Sequence, residues 1–206
     1  MNSLKPRAVV FDLGKVLLDF DFRRAASALA PKSSIGADRI LALINQTPLL
    51  HRFESGLINA REFYAEFARE AGYAGTAEEF ASDFSDIFTE IPDMIRLNRR
   101  FRAAGLPTHI FSNTSSLVVD FIRVRYPFFS EFTSHILSYE ERCMKPGVPI
   151  YEAVEKSTGS TGPELIYFDD REENVEAALR RGWSAHVFTG FPAASRWLAE
   201  RSWLPE

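Results

Sequence analysis

Short apolar runs recur along the chain at Ala8–Phe11, Thr108–Phe111, His135–Leu137, Leu165–Phe168 and His186–Phe188, each bounded by polar or turn-forming residues. Runs that are apolar at nearly every position, rather than at every second one, predict strands covered on both faces, and such strands belong to parallel sheets. Between the runs, apolar residues return at helical intervals. Val175, Ala178 and Leu179 stand at i, i+3 and i+4 before Gly182, the stretch from Ile95 to Ala104 stops at Gly105, and Leu117, Val118, Phe121 and Ile122 form a further one-sided stripe. Strand alternating with helix predicts an α/β fold, a Rossmann-like parallel sheet of about five strands with helices on both faces.

The alternation breaks from about Phe22 to Ile91. No strand pattern stands out there, and helical stripes follow one another: Ile40, Leu41 and Ile44, then Phe63, Tyr64 and Phe67, then Phe80, Phe84, Ile87 and Phe88 behind a capping box of Thr76 and Glu79. The Phe stripes read as the core of a small bundle. The expected organisation is a Rossmann-like core of residues 1–18 and 92–206, with a helical cap, residues 19–91, inserted after the first strand.

Composition mainly excludes. A chain of 206 residues fits one domain, or one core carrying one insertion, and its 18 Phe can fill a sizeable interior. The 24 basic and 28 acidic residues give a net charge of −4 with no basic block, so no nucleic-acid partner is expected. The single cysteine, Cys143, can form no internal disulfide and is expected to be inert. The N-terminal stretch Met1–Val10 is too short for a signal segment, and no run is long enough for a membrane span. Cytoplasmic location and the absence of a membrane partner follow as expectations, and nothing demands more than a monomer or weak dimer.

Candidate chemistry sits where strands end, because open α/β sheets bind ligands at their carboxyl edge. The first run leads into Asp12-Leu13-Gly14-Lys15, the second into Ser112-Asn113, the third is followed by Lys145-Pro146, and the fourth leads into Asp169-Asp170. Taken singly, these are commonly caps and solvated loops. Together they form a coherent set. Asp12 can attack phosphorus and carry an aspartyl-phosphate, dividing one hard displacement into two. A dianionic ester repels that carboxylate, so positive charge is needed. Magnesium suits a site with few oxygen ligands, and Asp170 is the expected second ligating carboxylate. Lys145 offers a compact charge to the phosphoryl oxygens, while Ser112 and Asn113 can donate hydrogen bonds to them.

The order Asp-x-x-x-Val-Leu, apolar-Ser-Asn, Lys-Pro, Asp-Asp-x-x-x-Asn-Val-Glu-Ala-Ala resembles the motif series of the haloacid dehalogenase (HAD) superfamily, whose members have a Rossmann-like core, often with a helical cap after the first strand. The segment Asp12 to Asp21, with Phe53-Glu-Ser-Gly-Leu-Ile58, is similar to the bacterial sugar-phosphatase branch, which includes an α-D-glucose-1-phosphate phosphatase. The resemblance implies a Mg2+-dependent phosphatase acting on a small phosphorylated metabolite. It implies Asp12 as nucleophile and metal ligand, Asp170 and the backbone carbonyl of Gly14 on the metal, and Ser112, Asn113 and Lys145 on the phosphate. Asp169 and Asn174 are implied one layer behind the metal ligands.

Gly14 departs from that pattern. Most phosphatases of the superfamily carry a second Asp two residues after the nucleophile, as general acid and base, and losing a positioned acid costs about 10²–10⁴-fold in rate. An anomeric sugar phosphate, with its better leaving group, would tolerate that deficit, as would a proton supplied by water or by the substrate. Asp19 and Asp21 are candidate stand-ins, though both read more plainly as helix caps. Lys15 is expected to point to solvent and His51 to pack within the cap, while His109, His135 and His186 on strands look structural. Two other readings keep the fold. One is a metal-independent dehalogenase, against which Asp170 argues; the other is a catalytically impaired binding or regulatory protein, with Gly14 marking the loss.

Overall fold

A computed structural model describes residues 5–205; Met1–Leu4, the start of the N-terminal stretch read above, and Glu206 lie outside the described residues. Among the described residues, five parallel strands form one sheet in the order β5-β4-β1-β6-β7: β1 (Ala8–Phe11), β4 (Thr108–Ser112), β5 (Ser134–Leu137), β6 (Leu165–Asp169) and β7 (Ser184–Val187). Strand β1 is central, pairing with β4 through Val9↔Thr108 and with β6 through Phe11↔Phe168. The near-continuous apolar runs follow from this position. Val9 and Phe11 belong to one core cluster, while Ala8 and Val10 belong to a second on the opposite face. The second face is covered by α9 (Val148–Thr158) and α10 (Glu172–Arg180), through Ile150, Tyr151, Val154, Val175 and Ala178. The first face is covered by α6 (Pro92–Ala103), α7 (Ser116–Arg125) and α11 (Phe191–Ala199), through Leu97, Phe101, Ile122 and Leu198.

After β1 the chain turns sharply. Lys15 has a φ of 61°, and the amides of Leu17 and Leu18 both donate to the Leu13 carbonyl, which delivers β2 (Leu18–Phe20). Five helices follow: α1 (Phe22–Leu29), α2 (Ala37–Ile44), α3 (Pro48–Glu54), α4 (Ala60–Ala71) and α5 (Ala77–Ser85). Their starts are written locally. Asp21 accepts from the Arg23 amide, Thr47 from the Leu50 amide ahead of Pro48, and Asn59–Glu62 and Thr76–Glu79 form reciprocal capping boxes. Their interior is aromatic: the Phe53 and Phe63 rings stack at 4.4 Å, and Phe80 lies 4.8 Å from Phe67 and 5.6 Å from Phe84.

Three expectations need correction. The segment up to Ile91 does contain a strand: β3 (Phe88–Glu90) pairs antiparallel with β2, Phe20 opposite Phe88, so a two-stranded ribbon carries the chain into and out of the helices. Helix α5 accordingly stops at Ser85, and Ile87 and Phe88 are buried from the following turn and strand rather than from a helix. Periodicity could not reveal this, because a three-residue strand shows no period of its own. On α10 the apolar stripe is also misplaced. Leu179 is 52% exposed, and Asn174 and Ala177 are buried with Val175 and Ala178.

The last turn of α3 is docked onto the sheet side by a close backbone approach. Gly56 has a φ of 69°, and a Cβ there would lie 2.3 Å from the backbone oxygen of Tyr139, in α8 (Ser138–Glu141). Ser138 completes the seam: its hydroxyl donates to the Glu54 carbonyl at 2.6 Å and accepts from the Thr114 amide at 2.9 Å. Gly56→Ala would meet both an unfavourable φ and backbone that cannot move aside, so a loss of at least about 2 kcal/mol is expected. Chemical denaturation reads this directly, and a midpoint equal to wild type would contradict the docking.

Candidate active site

The sheet order places the acidic and polar loops side by side. Asp12 follows β1, and its amide donates to the Phe168 carbonyl at 2.8 Å. Ser112 closes β4 on one flank, and Asp169 closes β6 on the other, followed by Asp170. Lys145 enters from the loop between α8 and α9. Carboxylate oxygens of Asp12, Asp169 and Asp170 lie within 4.8 Å of one another.

Lys145 is no solvated loop lysine. Its side chain is 1% exposed, and its ammonium stands 2.9 Å from Asp12 Oδ1, 2.6 Å from Asp169 Oδ2 and 2.9 Å from the Phe111 carbonyl. Burial alone would lower its pKa, but the charges of Asp12 and Asp169 outweigh that and raise it, so the ammonium stays charged. Asp169 resolves in the same sense. Burial opposes its ionisation, yet Lys145, the Tyr167 hydroxyl and the Arg171 amide together hold it below the ordinary carboxyl range. Asp12 goes the other way: burial raises its pKa, Lys145 only partly offsets this, and the charges of Asp169 and Asp170 add to the rise. Asp170 is raised by burial and by Asp169.

Three carboxylates thus share one ammonium, which leaves an excess of negative charge in a poorly solvated place. Hard oxygen donors in negative excess suit a divalent cation such as magnesium. Asp169 is already fully engaged, accepting from Lys145, Tyr167, Arg171 and both oxygens from the Asn174 amide at 3.0 and 3.2 Å. Asp12 and Asp170 are the acids with oxygen to spare, and both line the same cavity with Gly14, Asn113, Lys145 and Asn174.

Two of the expected residues sit differently from the sequence reading. The Asn113 amide is anchored inside the protein: its Nδ2 donates to the Lys145 carbonyl at 3.0 Å, and its Oδ1 accepts from the Lys145 amide at 2.9 Å. Asn113 therefore clamps the Lys145 loop through its side chain, which leaves the second N–H of its amide for a ligand at the cavity wall it lines. Ser112 is 3% exposed, its hydroxyl lies 3.3 Å from the Asn113 carbonyl, and it is not among the residues lining the cavity.

The cavity measures about 1060 Å³. Its floor is the carboxyl edge of the sheet. Its roof is α3 with the turn before it, where Thr47, Leu50, His51 and Glu54 face inward, and Phe20 and Phe22 form one wall. His51 is thus exposed to the cavity rather than packed. Lys15 also borders the cavity, but its ammonium pairs with Asp19 and donates to the Phe20 carbonyl at 2.8 Å. Asp21 caps α1. Neither acid replaces the one absent at Gly14. That position has been filled instead: a Cβ on Gly14 would come 2.9 Å from Cε1 of Phe20.

Sequence reasoning gave no role to Glu54, Tyr167 or Ser138. Tyr167 and Ser138 are ordinary in sequence and matter only through what they touch. Glu54 is likewise unmarked in sequence, and only the structure shows it between the buried Phe53 and Ser55 at the cavity. The strand histidines are structural, as His109 illustrates. Burial pushes its pKa down to about 4, and its Nδ1 meets the Ser134 hydroxyl at 2.7 Å.

No family model matches the chain. Among curated proteins, a D-ribitol-5-phosphate phosphatase from Bacteroides thetaiotaomicron is 25% identical over 182 residues, covering 85% of this chain and 88% of that protein. The sesquiterpene phosphatase astK of Aspergillus oryzae is 26% identical over 179 residues, covering 85% and 86%. Among solved structures, a HAD family enzyme from B. thetaiotaomicron, in complex with magnesium and inorganic phosphate, superposes with a TM-score of 0.79 at 21% identity, covering 88% of this chain and 93% of that one.

Proposed function

We propose that the chain, which has the fold and the motif order of the HAD-like superfamily, is a magnesium-dependent phosphatase hydrolysing a small phosphomonoester, with Asp12 as nucleophile. The observation that carries this reading is the meeting of Asp12, Lys145 and Asp170 at one cavity, where a nucleophilic acid, a fixed ammonium and a second free carboxylate face a common space. Both curated relatives are named phosphatases, and the magnesium-and-phosphate complex of the superposed enzyme supports the same cofactor here.

Asp12, Asp170 and the Gly14 carbonyl would hold the magnesium ion, which when bound neutralises the excess negative charge and draws in the phosphate dianion. Asp12 then attacks phosphorus from the floor of the cavity, forming the aspartyl-phosphate as the ester oxygen leaves. Lys145 stays charged beside it and offsets the charge on the transferring group. Asp169 and Asn174 hold Lys145 and the loop before α10 in place, and Asn113 fixes the Lys145 backbone. Helices α1–α5 act as the cap, with α3 reading the part of the substrate beyond the phosphate. Polar Thr47, His51 and Arg52 beside apolar Phe22 and Leu50 favour a sugar or polyol phosphate, a body with both hydroxyls and a carbon face.

A dehalogenase needs no cation. The unpaired Asp170 beside Asp12, adding negative charge, is unsuited to that chemistry. The test is a panel of phosphorylated sugars and polyols assayed with magnesium, then with a chelator, then with magnesium restored. Phosphate release is expected only with the metal; turnover untouched by the chelator, or none with any ester, would reject the proposal.

A further inference from the structure

We propose that Glu54, at the end of α3, is the group that donates and accepts the proton in place of the acid missing at Gly14. This rests on the phosphatase reading and deepens it, since it frees the enzyme from the need for an activated leaving group.

The usual place for the acid is empty of a carboxyl and crowded by another side chain. Phe20 fills the space that a side chain at position 14 would enter. A replacement must therefore reach the substrate from another wall. Four carboxyl residues line the cavity: Asp12, Glu54, Asp170 and Glu173. Asp12 is the nucleophile and Asp170 faces the metal. Glu173 is tied to Arg171, whose Nε lies 2.7 Å from its Oε1. The Glu54 carboxyl has neither hydrogen bond nor ion pair among the described residues, and is the carboxyl left free for a ligand.

Its placement is both fixed and suitable. The Glu54 backbone is held by the Ser138 hydroxyl, which also meets the amide of Thr114, two residues beyond Ser112. Gly56 lets the same turn press against Tyr139. A roof residue is thereby anchored to the loop after β4. Asp12 attacks from the floor, so the leaving oxygen of an in-line displacement departs toward the roof, where Glu54 stands. A group on α3 also needs no contact with Asp12 itself, unlike an acid on the nucleophile's own loop.

The surroundings suit proton transfer near neutrality. Burial raises the Glu54 carboxyl to about 7, tempered by the charge of Arg171. Besides Arg171, the charged or titratable groups around the cavity are Asp12, Lys15, Lys145, Asp170 and Glu173, and His51 and Arg52 on Glu54's own helix; Lys15 is paired with Asp19, and Arg52 is neutralised by Glu66 at 2.9 and 3.0 Å.

The steps balance. As an Asp12 oxygen bonds to phosphorus and the ester P–O bond breaks, the Glu54 proton passes to the departing oxygen, which leaves as an alcohol. Water then attacks the aspartyl-phosphate and loses one proton to the Glu54 carboxylate. The acyl P–O bond breaks, Asp12 returns as carboxylate, phosphate departs, and Glu54 is again protonated.

The experiment compares kcat/KM, which reports formation of the aspartyl-phosphate, for glycerol 2-phosphate and p-nitrophenyl phosphate. Nitrophenolate needs no proton to leave, whereas a glycerol alkoxide does. Glu54→Gln is expected to lose about 10²–10⁴-fold on glycerol 2-phosphate and less than about 10-fold on the aryl ester. In wild type, kcat/KM for the alkyl ester should fall as pH rises through about 7, because the acid must be protonated, and Glu54→Gln should lose that fall. Glu54→Asp, which keeps a carboxyl, should retain it at a reduced rate. Equal losses on both esters, no loss on the alkyl ester, or the same selectivity in His51→Gln but not in Glu54→Gln would overturn the proposal. Asp12→Asn serves as a separate arm: if it hydrolyses either ester as fast as wild type, Asp12 is not the nucleophile, and if wild type hydrolyses no ester the phosphatase reading fails, whatever Glu54 does.

Discussion

Asp12→Asn is expected to reduce magnesium-dependent phosphate release by on the order of 10⁴-fold or more while leaving the protein folded. The two effects separate because the side chain has two jobs. The carboxylate oxygen proposed to attack phosphorus has no equivalent in a carboxamide, so on that reading the covalent route closes. Its structural contacts survive in kind: an amide oxygen can still accept from the Leu13 amide, at 2.7 Å in wild type, and from Lys145 at 2.9 Å. Removing one of three crowded carboxylates also relieves repulsion, so without metal the variant should melt no lower than wild type. The stabilisation that wild type gains on adding magnesium should shrink, since ligand binding raises stability only as far as the folded state retains affinity. Phosphate release at a comparable rate would refute Asp12 as nucleophile. A collapse in melting temperature would refute the claim that its structural contacts are replaceable.

Lys145→Met should be the most damaging substitution for stability. Methionine matches the length of the lysine stem, so the packing over the Phe111 ring, 4.8 Å from the ammonium in wild type, is largely kept. What disappears is the one ammonium between Asp12 and Asp169. Stripping one partner from a buried ion pair costs about 3–5 kcal/mol, which for a chain of this size lowers the melting temperature by roughly 10 °C. The sign of the pH dependence follows. Without Lys145 the two acids have folded-state pKa values above their unfolded ones, so the deficit against wild type is largest at neutral pH. It narrows as pH falls into the carboxylate range and the stranded groups take up protons. Magnesium should recover part of it by supplying the missing charge. A thermal scan across pH 4–8 with and without magnesium checks all three. A deficit that stays constant across this range would show that Lys145 acts through packing and not through charge.

Much of this architecture is written in local pattern. Each of the five apolar runs became a strand, because a strand covered on both faces must be apolar at every position, and that leaves a mark in sequence. The capping box at Thr76 and Glu79 formed as its spacing required. Short or compensated features left no such mark. The ribbon of Leu18–Phe20 with Phe88–Glu90 joins residues about seventy apart, and three residues carry no period. Asn113 illustrates the same limit at the site: its type and place suggested a ligand donor, but the backbone that its side chain also clamps lies 32 residues away.

The sequence by itself determined which groups are present and which sheet edge they share, because strand pattern and chain order fix where each loop emerges. Asp12, Lys145 and Asp170 were legible on that ground. Only the tertiary structure decided how the charges divide, since burial and contact distance set which carboxyl Lys145 keeps ionised. It also decided that Phe20 occupies the space beside Gly14, and that a helix from the inserted segment brings Glu54 over the site. Those outcomes depend on packing between distant segments, and no local run of residues encodes them.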